Sequence, residues 1–336
     1  MDWTQSYAST WRVFRVNRDT WADAGRITGI DSVSITRTAD GELLESGSIE
    51  ATGELARDYY RIVMTAEQGS ETERVDVATL LFDYTGGETN YGTTKLTIEG
   101  RSVLYPASKA LISTGEYAPA GVDGAAYAAE LLQRAVNAPV ETEGSFVLNE
   151  NIVHEVGSSI LAAAWSVLNA GGFIIQITGT GVIRICQKPT APALVIDSTN
   201  TRYLTNGISY TADESEIPNR YIVTDGIQRA VIENSDPESS VSVATRGYYV
   251  DKIDESPEPV NGETLIEYAT RKLKEESVLR ETRSYNREYA PDVHLYSIVR
   301  ASIDGLEGDL RVTSQNLTCK NGIAVSETAE AEVALW

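Results

Sequence analysis

The chain has 336 residues, enough for two or three domains with substantial cores, and a hydrophobic content of 42% excludes wholesale disorder. Its 28 Lys and Arg against 49 Asp and Glu leave a net charge of -21. Binding to nucleic acid draws much of its affinity from basic residues that neutralise phosphates, so this balance argues against a DNA-binding protein.

The first residues, "MDWTQSYAST", carry neither a basic n-region nor an apolar h-region, and synthesis without Sec export is the expectation. The first hundred residues then alternate apolar with polar side chains. "RITGIDSVSITRTAD" and "ESGSIEATG" are split by the turn signal "ADGE"; "DYYRIVMTAEQ" and "ERVDVATLLFDYT" are split by "GSET"; "GTTKLTIEGRSVLY" follows "GGETNYG". Short strands at hairpin spacing predict a barrel or a sandwich, with one face of each strand buried and the other wetted.

Composition changes after Tyr105-Pro106. "GVDGAAYAAELLQRAVN" places Ala126, Ala129, Leu132 and Val136 on a helical stripe, closed by Pro139. A second helix is predicted from Ser158 to Asn169, with Ser158 or Ser159 as N-cap and Gly171 at its C-terminal turn. "GFIIQI" and "GVIRICQ" flank "TGTG", a hairpin signal. The stretch 160–177 is the most apolar, but the Gly171-Gly172 pair interrupts it, and a bilayer span needs roughly 20 mostly apolar residues. It reads as a buried helix, a turn and a strand, and no membrane anchor is expected.

Strands return after Thr201, with a polar, Pro-bearing loop at "DESPEPVNGE". Thr264 and Glu267 have capping-box spacing, and Leu265, Ala269 and Leu273 fall on one helical face that Ile266 widens, giving a helix over 264–279. Beyond it the period drops to two: Arg283, Tyr285, Arg287 and Tyr289 share one side of a strand. Pro291 ends that ladder, "VHLYSIVRASI" resumes as strand, and "LRVTSQNLTCK" and "IAVSETAEAEV" complete the chain. The pattern is mainly β with an α+β insertion. Its expected domains are 1–105, 106–195 and 196–336, in which two β-regions bracket a small α/β domain.

Catalytic chemistry finds little support. His154 precedes the second helix and His294 alternates within a predicted strand, and neither has a nucleophile elbow nearby. Glu141 with Glu143, the Asp213, Glu214 and Glu216 cluster, and the run Asp251 to Asp254 could supply a glycosidase pair, but all lie in turn-like contexts of a highly acidic chain. Cys186 and Cys319 have no partner spacing for a disulfide framework or a zinc site. No catalytic, cofactor or metal residue is assigned. Aromatic residues interleaved with arginine are typical of protein contacts. Trp11, Arg12, Phe14, Arg15 and Trp21, with Arg18 between the last two, are therefore read as interface residues, and so are Arg283, Tyr285, Arg287 and Tyr289.

The order of the pieces resembles the baseplate hub family of phage tails, prophages and phage-derived contractile particles. The resemblance is carried by "WRVFRVNRDTWADAGRITGIDSVSITR", "AAYAAELLQRAVNAPV", "WSVLNAGGFIIQITGTGVIRI", "NRYIVTDG" and the segment through "REYAPDVHLYSIVRASIDGLEGDLRV". It implies two tail-tube-like β-barrel domains bracketing the α/β domain, and three copies forming a pseudo-hexameric ring between tail tube and spike. The implied partners are further copies of the chain and the tail-tube, distal tail or baseplate, spike or tip, and tape-measure proteins, with DNA passing unbound. The implied location is the virion tail, after synthesis in the host cytoplasm. The competing readings are a tail-associated peptidoglycan hydrolase, glycosidase or endopeptidase, and a carbohydrate-binding adhesin.

Overall fold

Alternation of apolar and polar residues drives nearly half of this chain into strands, and two compact units result: one from Met1–Ile208 with Ser284–Ala329, the other from Ser209–Arg283 with Glu330–Trp336. The computed structural model describes residues 1–336 except 2, 4–6, 53, 54, 91, 92, 201–203, 206, 225, 256 and 258–262; for 84–90, 93 and 94 it describes the backbone alone. Most of the predicted loop "DESPEPVNGE" and the end of "GGETNYG" lie outside the described residues.

In the first unit, β1 (Ala8–Val16), β2 (Asp23–Ile27), β3 (Ile30–Thr38), β4 (Glu45–Thr52), β5 (Asp58–Gln68), β6 (Glu71–Asn90) and β7 (Thr93–Arg101) follow the predicted run of strands. The insertion supplies α1 (Tyr105–Lys109), β8 (Glu116–Ala118), α2 (Gly124–Gln133), β9 (Val140–Thr142), β10 (Ile152–His154), α3 (Ile160–Ala170), β11 (Phe173–Ile177), β12 (Ile183–Gln187) and β13 (Pro192–Ile196). In the second unit lie β14 (Ser209–Ala212), β15 (Arg220–Thr224), β16 (Arg229–Glu233), α4 (Val243–Arg246), β17 (Asp251–Asp254) and α5 (Leu265–Glu276). The chain returns through β18 (Val278–Glu288), β19 (Ile298–Ile303), β20 (Leu306–Cys319) and β21 (Ile323–Ala334), crossing the unit boundary within β18 and again within β21.

The protein is mainly β, with the α/β insertion where the composition changes. The strand order of the first unit is β18-β21-β20-β3-β4-β7-β6-β5-β1-β2, with β19 on β20 and β13 parallel to β19. Its decisive link is β3 with β20, antiparallel from Ser314 opposite Thr38 to Cys319 opposite Val33. Through it the two terminal β-regions share one apolar core, in which Val33, Ile35, Ile49, Ile62, Leu80 and Leu317 are buried. The predicted span 196–336 is consequently divided: its strands β19 and β20 belong with the first hundred residues, while 209–283 form a separate unit.

The insertion folds as its periodicity predicts. Asp123 caps α2 and Ser159 caps α3, each side chain accepting backbone N–H groups of the first turn. The two helices bury Ala125, Ala128, Leu131, Leu132, Leu161, Ala164, Val167 and Leu168 in one cluster with the hairpin of β11 and β12. Burial of each Leu or Val is worth about 1.5–3 kcal/mol. The buried stripe on α2 is shifted from the predicted one: Ala126 is exposed, and Ala125 and Ala128 point inward with Ala129 and Leu132.

The tip of that hairpin explains a second departure. Alternation predicts one wetted face for β5, yet Asp58 through Met64 are all buried. The turn between β11 and β12 covers the other face. Thr79 donates to the Gly179 carbonyl at 2.9 Å, and Arg61 and Trp21 donate to the Thr180 carbonyl at 3.0 and 2.8 Å. The approach is close enough that a Cβ on Gly179 would sit 1.7 Å from the Asp76 carbonyl oxygen.

In the second unit, β16-β15-β17 form a small sheet whose Tyr221, Val223 and Ala230 pack on Tyr268, Ala269 and Leu273 of α5. The capping box is present: Thr264 Oγ1 accepts from the Glu267 N–H at 3.3 Å, and Glu267 accepts the Thr264 N–H at 2.9 Å. Ile266 faces solvent, and Tyr268 takes the core place expected of it, because the buried stripe follows the i, i+1, i+5 positions of Tyr268, Ala269 and Leu273. The predicted strand from Val293 begins only at Ile298, since residues 293–297 form a turning connection after Pro291.

Gly179→Ala is expected to push the hairpin off β6 and lower stability by about 1–3 kcal/mol, as overpacking does. Denaturant unfolding checks this, and a midpoint equal to that of the wild type would show that the close approach is not required.

Candidate functional site

The aromatic and arginine residues of β1 lie at the corner where β1 meets β2 and β5, and most have partners within the chain. Trp11 packs on the sheet core and donates its indole N–H to the Lys320 carbonyl at 3.0 Å. Phe14 lies under the Arg74 guanidinium, 5.4 Å from the ring centre. Trp21, at φ 56°, meets Tyr59 edge-on at 5.0 Å. Arg15 and Arg18 both pair with Asp58, Arg18 at 2.8 Å. Burial raises the Asp58 carboxyl, but the hydrogen bonds from Arg18 and Arg15 outweigh it and hold the group below the usual carboxylate range. Arg15 and Arg18 nonetheless stay about half exposed, at 54% and 49%, and Arg12 is exposed. This corner therefore presents three arginines to solvent, while its aromatic rings are packed within the unit.

The second predicted group behaves differently. Tyr285, Arg287 and Tyr289 do share a strand face, as their spacing predicts, but that face is turned into the first unit and all three are buried. They are not available to another chain, which corrects the interface reading for these residues. Arg283 lies in the second unit, partly buried, with its guanidinium 4.9 Å from the Tyr210 ring centre and an ion pair to Glu281.

Inward-facing charge on β18 begins a row that crosses neighbouring strands. Arg287 donates to Glu327 of β21 at 2.6 and 3.1 Å, with both side chains essentially fully buried. Glu327 also accepts from Tyr285 at 2.6 Å and from Gln315 of β20 at 2.8 Å. Gln315 stands opposite Arg37 of β3 and accepts from it at 3.3 Å, and Arg37 stands opposite Glu45 of β4, which it reaches at 3.4 Å. Arg37 donates in addition to the Val77 carbonyl, at the bulge where the β5–β6 register shifts. The row Arg287, Glu327, Gln315, Arg37, Glu45 thus places cation, anion, amide, cation and anion on successive strands inside the core.

Its last member is the least satisfied. Glu45 Oε1 is buried without a protein partner among the described residues. Burial, opposed by Arg37, pushes the Glu45 carboxyl from its ordinary 4.5 up to about 7. Nearby, His294 Nδ1 is likewise unpartnered among the described residues. Burial first, then the charges of Arg37, Arg184 and Arg287, lower His294 to about 3, so its imidazole is neutral at physiological pH.

Several of the remaining chemical candidates have structural partners, although His154 Nε2 is buried without a hydrogen-bond partner among the described residues. His154 is buried and stacks on Tyr127 with ring centres 6.0 Å apart. Glu143 pairs with Arg184 at 3.1 Å, Asp251 with Arg220 at 2.6 Å, and Asp254 accepts from Tyr268 at 2.6 Å. Asp213 accepts the Ser215 backbone N–H at 2.8 Å. Cys186 and Cys319 are buried apart, and burial raises their thiols to about 11 and about 12. Among the described residues, no three His, Cys, Asp or Glu side chains form a group that could hold a metal ion.

Two exposed apolar features escaped the sequence reading. Tyr117 and Val153 face each other across β8 and β10, 53% and 73% exposed. In the second unit, Val231, Ile222 and Ile253 form a cross-strand row on the sheet face away from α5. Both were hidden because apolar residues in alternating strands read equally well as core. The buried row had a legible signal: Arg37 lies in phase with Val33 and Ile35, and Glu327 with Val325 and Ala329, so each charge falls on a core position of its strand.

Neither a protein-family model nor a curated protein matches this sequence. The fold, however, is that of solved phage tail proteins. The chain superposes on the tail protein from Neisseria meningitidis MC58 with a TM-score of 0.66 at 13% identity, covering 97% of each chain. It superposes on the 43 kDa tail protein of prophage MuSo2 from Shewanella oneidensis with a TM-score of 0.65 at 12% identity, over 96% of this chain and 98% of that one. Prophage tail protein gp18 from Listeria monocytogenes EGD-e gives 0.54 at 13% identity, over 95% and 94%.

Two outcomes are expected of the buried row. Glu327→Gln, which leaves Arg287 charged and unpaired, should destabilise the protein by about 3–5 kcal/mol, whereas the double change Arg287→Met with Glu327→Leu should cost less than the sum of its single changes; a double-mutant cycle of unfolding free energies measures both. For Glu45, the folded state holds a proton that the unfolded chain releases between pH 4.5 and about 7, so this group's contribution to stability declines as pH rises through that window. Glu45→Gln has no such proton and should gain in melting temperature relative to wild type between about pH 5 and about pH 8. Parallel melting curves across that range contradict the assignment.

Proposed function

We propose that this chain is a structural baseplate or tail-tip hub of a phage or prophage tail. In this reading three copies form a ring of six tail-tube-like barrels that joins the tail tube to the spike or tip and lets DNA pass. One observation carries it: the likeness to solved tail proteins runs the whole length of both chains, over 97% of each in the Neisseria comparison, so the matching part is the entire architecture and not one common domain.

The surface chemistry is consistent with such a role. Among the described residues, no helix is long and apolar enough to cross a membrane. An acidic lumen would keep DNA from adhering, repelling phosphates over roughly 8–10 Å at physiological salt, and part of the -21 net charge is assigned to that lining. Arg12, Arg15 and Arg18 at the β1 corner, and the row of exposed Val231 and Ile253 with half-buried Ile222 between them, are the contact residues proposed toward other copies or toward tail-tube, baseplate, spike and tape-measure partners. Arginine with apolar neighbours suits protein contacts, and scattered acidic side chains elsewhere keep the free faces soluble.

Negative-stain imaging combined with mass measurement of the purified protein tests the proposal. The expected result is a three-copy ring with a central channel, and a compact monomer at assembly concentrations overturns it. A neutral or basic bore in the assembled ring removes the role given to the acidic charge.

A further inference from the structure

Within the first unit, β3, β4, β11 and the 293–297 connection enclose a small cavity. Arg37, Glu45, Gln176 and His294 supply its polar lining, and Leu and Ile side chains supply the rest. The volume open to the centre of a water molecule is about 10 Å³, which is about what one water needs. Glu45 Oε1 and His294 Nδ1, both buried, have no protein hydrogen-bond partner among the described residues. Leaving a buried acceptor unpaired is costly, and most such groups in folded proteins are satisfied by protein or by ordered water.

The other polar groups of the cavity narrow the choice of occupant. Gln176 is committed, donating to the Leu295 carbonyl at 3.2 Å and accepting from the Cys186 thiol. The guanidinium of Arg37 has five N–H groups, and it donates to Glu45, Gln315 and the Val77 carbonyl. A cation is disfavoured by Arg37, an anion by Glu45, and any larger molecule by the volume.

We propose that this cavity is a built site for one ordered water molecule, which donates to Glu45 Oε1 and to His294 Nδ1 and accepts from an N–H of Arg37. Three partners match the usual coordination of a buried water. The neutral state of His294 is what leaves Nδ1 able to accept; burial first, and then the charges of Arg37, Arg184 and Arg287, keep it neutral. The water then completes the end of the buried polar row, where the protein's own side chains do not.

A high-resolution crystal structure of the full chain at about pH 8 tests the site. The expected result is a single spherical density within about 2.7–3.2 Å of both Glu45 Oε1 and His294 Nδ1. Direct contact between the two side chains, or a cavity without density, overturns the proposal. Methyl-labelled protein in solution gives an independent reading: Leu44 and Leu295, which line the cavity, should show cross-peaks to a long-lived water, and the core residue Leu310 should not. Those cross-peaks should vanish in Glu45→Leu, and their persistence there would count equally against the site.

Discussion

Five polar side chains buried in a row hold this protein's β-structure in register. Arg287, Glu327, Gln315, Arg37 and Glu45 come from β18, β21, β20, β3 and β4, and each is usable only while its neighbour stands opposite. A one-residue slip in any of these strands would turn a charge outward and leave its partner buried alone, a loss of several kcal/mol. Apolar strands alone would tolerate more than one pairing. The row therefore supplies specificity where the hydrophobic core supplies bulk stability, and it does so at β3–β20, where the first strands of the chain meet the last.

The α/β insertion is tied to the same framework by a different device. Its hairpin tip lies so close to β6 that only a glycine fits beside the Asp76 carbonyl, and three side-chain donors, from Thr79, Arg61 and Trp21, hold it there. Trp21 and Arg61 thus serve docking within the unit, although tryptophan and arginine are the residues most often found in contacts between chains. The Asp58 carboxylate, shared by Arg15 and Arg18, likewise organises the β1 corner while leaving both guanidinium groups half exposed.

Particular elements separate what could be read in advance from what could not. The capping box at Thr264 and Glu267, the cap at Ser159, and the hairpin at residues 178–181 depend on neighbours a few residues apart, so local chemistry is sufficient to place them. The side of β18 shared by Tyr285, Arg287 and Tyr289 was also legible, because the side-chain period of a strand is two. The direction of that side was not. Charge on a strand ordinarily points to water, and nothing within ten residues of Arg287 reveals that Glu327, 40 positions away, waits across the ladder.

The sequence by itself determined the mainly β character, the place and content of the α/β insertion, the caps of α3 and α5 and the absence of a recognisable catalytic motif, all of which follow from periodicity and short-range hydrogen bonding. Only the tertiary structure decided that β20 joins β3, that residues 209–283 stand as a separate unit, that β5 is covered on both faces, and that arginine and tyrosine of β18 belong to the core. These depend on pairings between residues far apart in the chain, whose free energy is settled by which partner each strand finds, and the strand's own pattern is the same whichever partner that is.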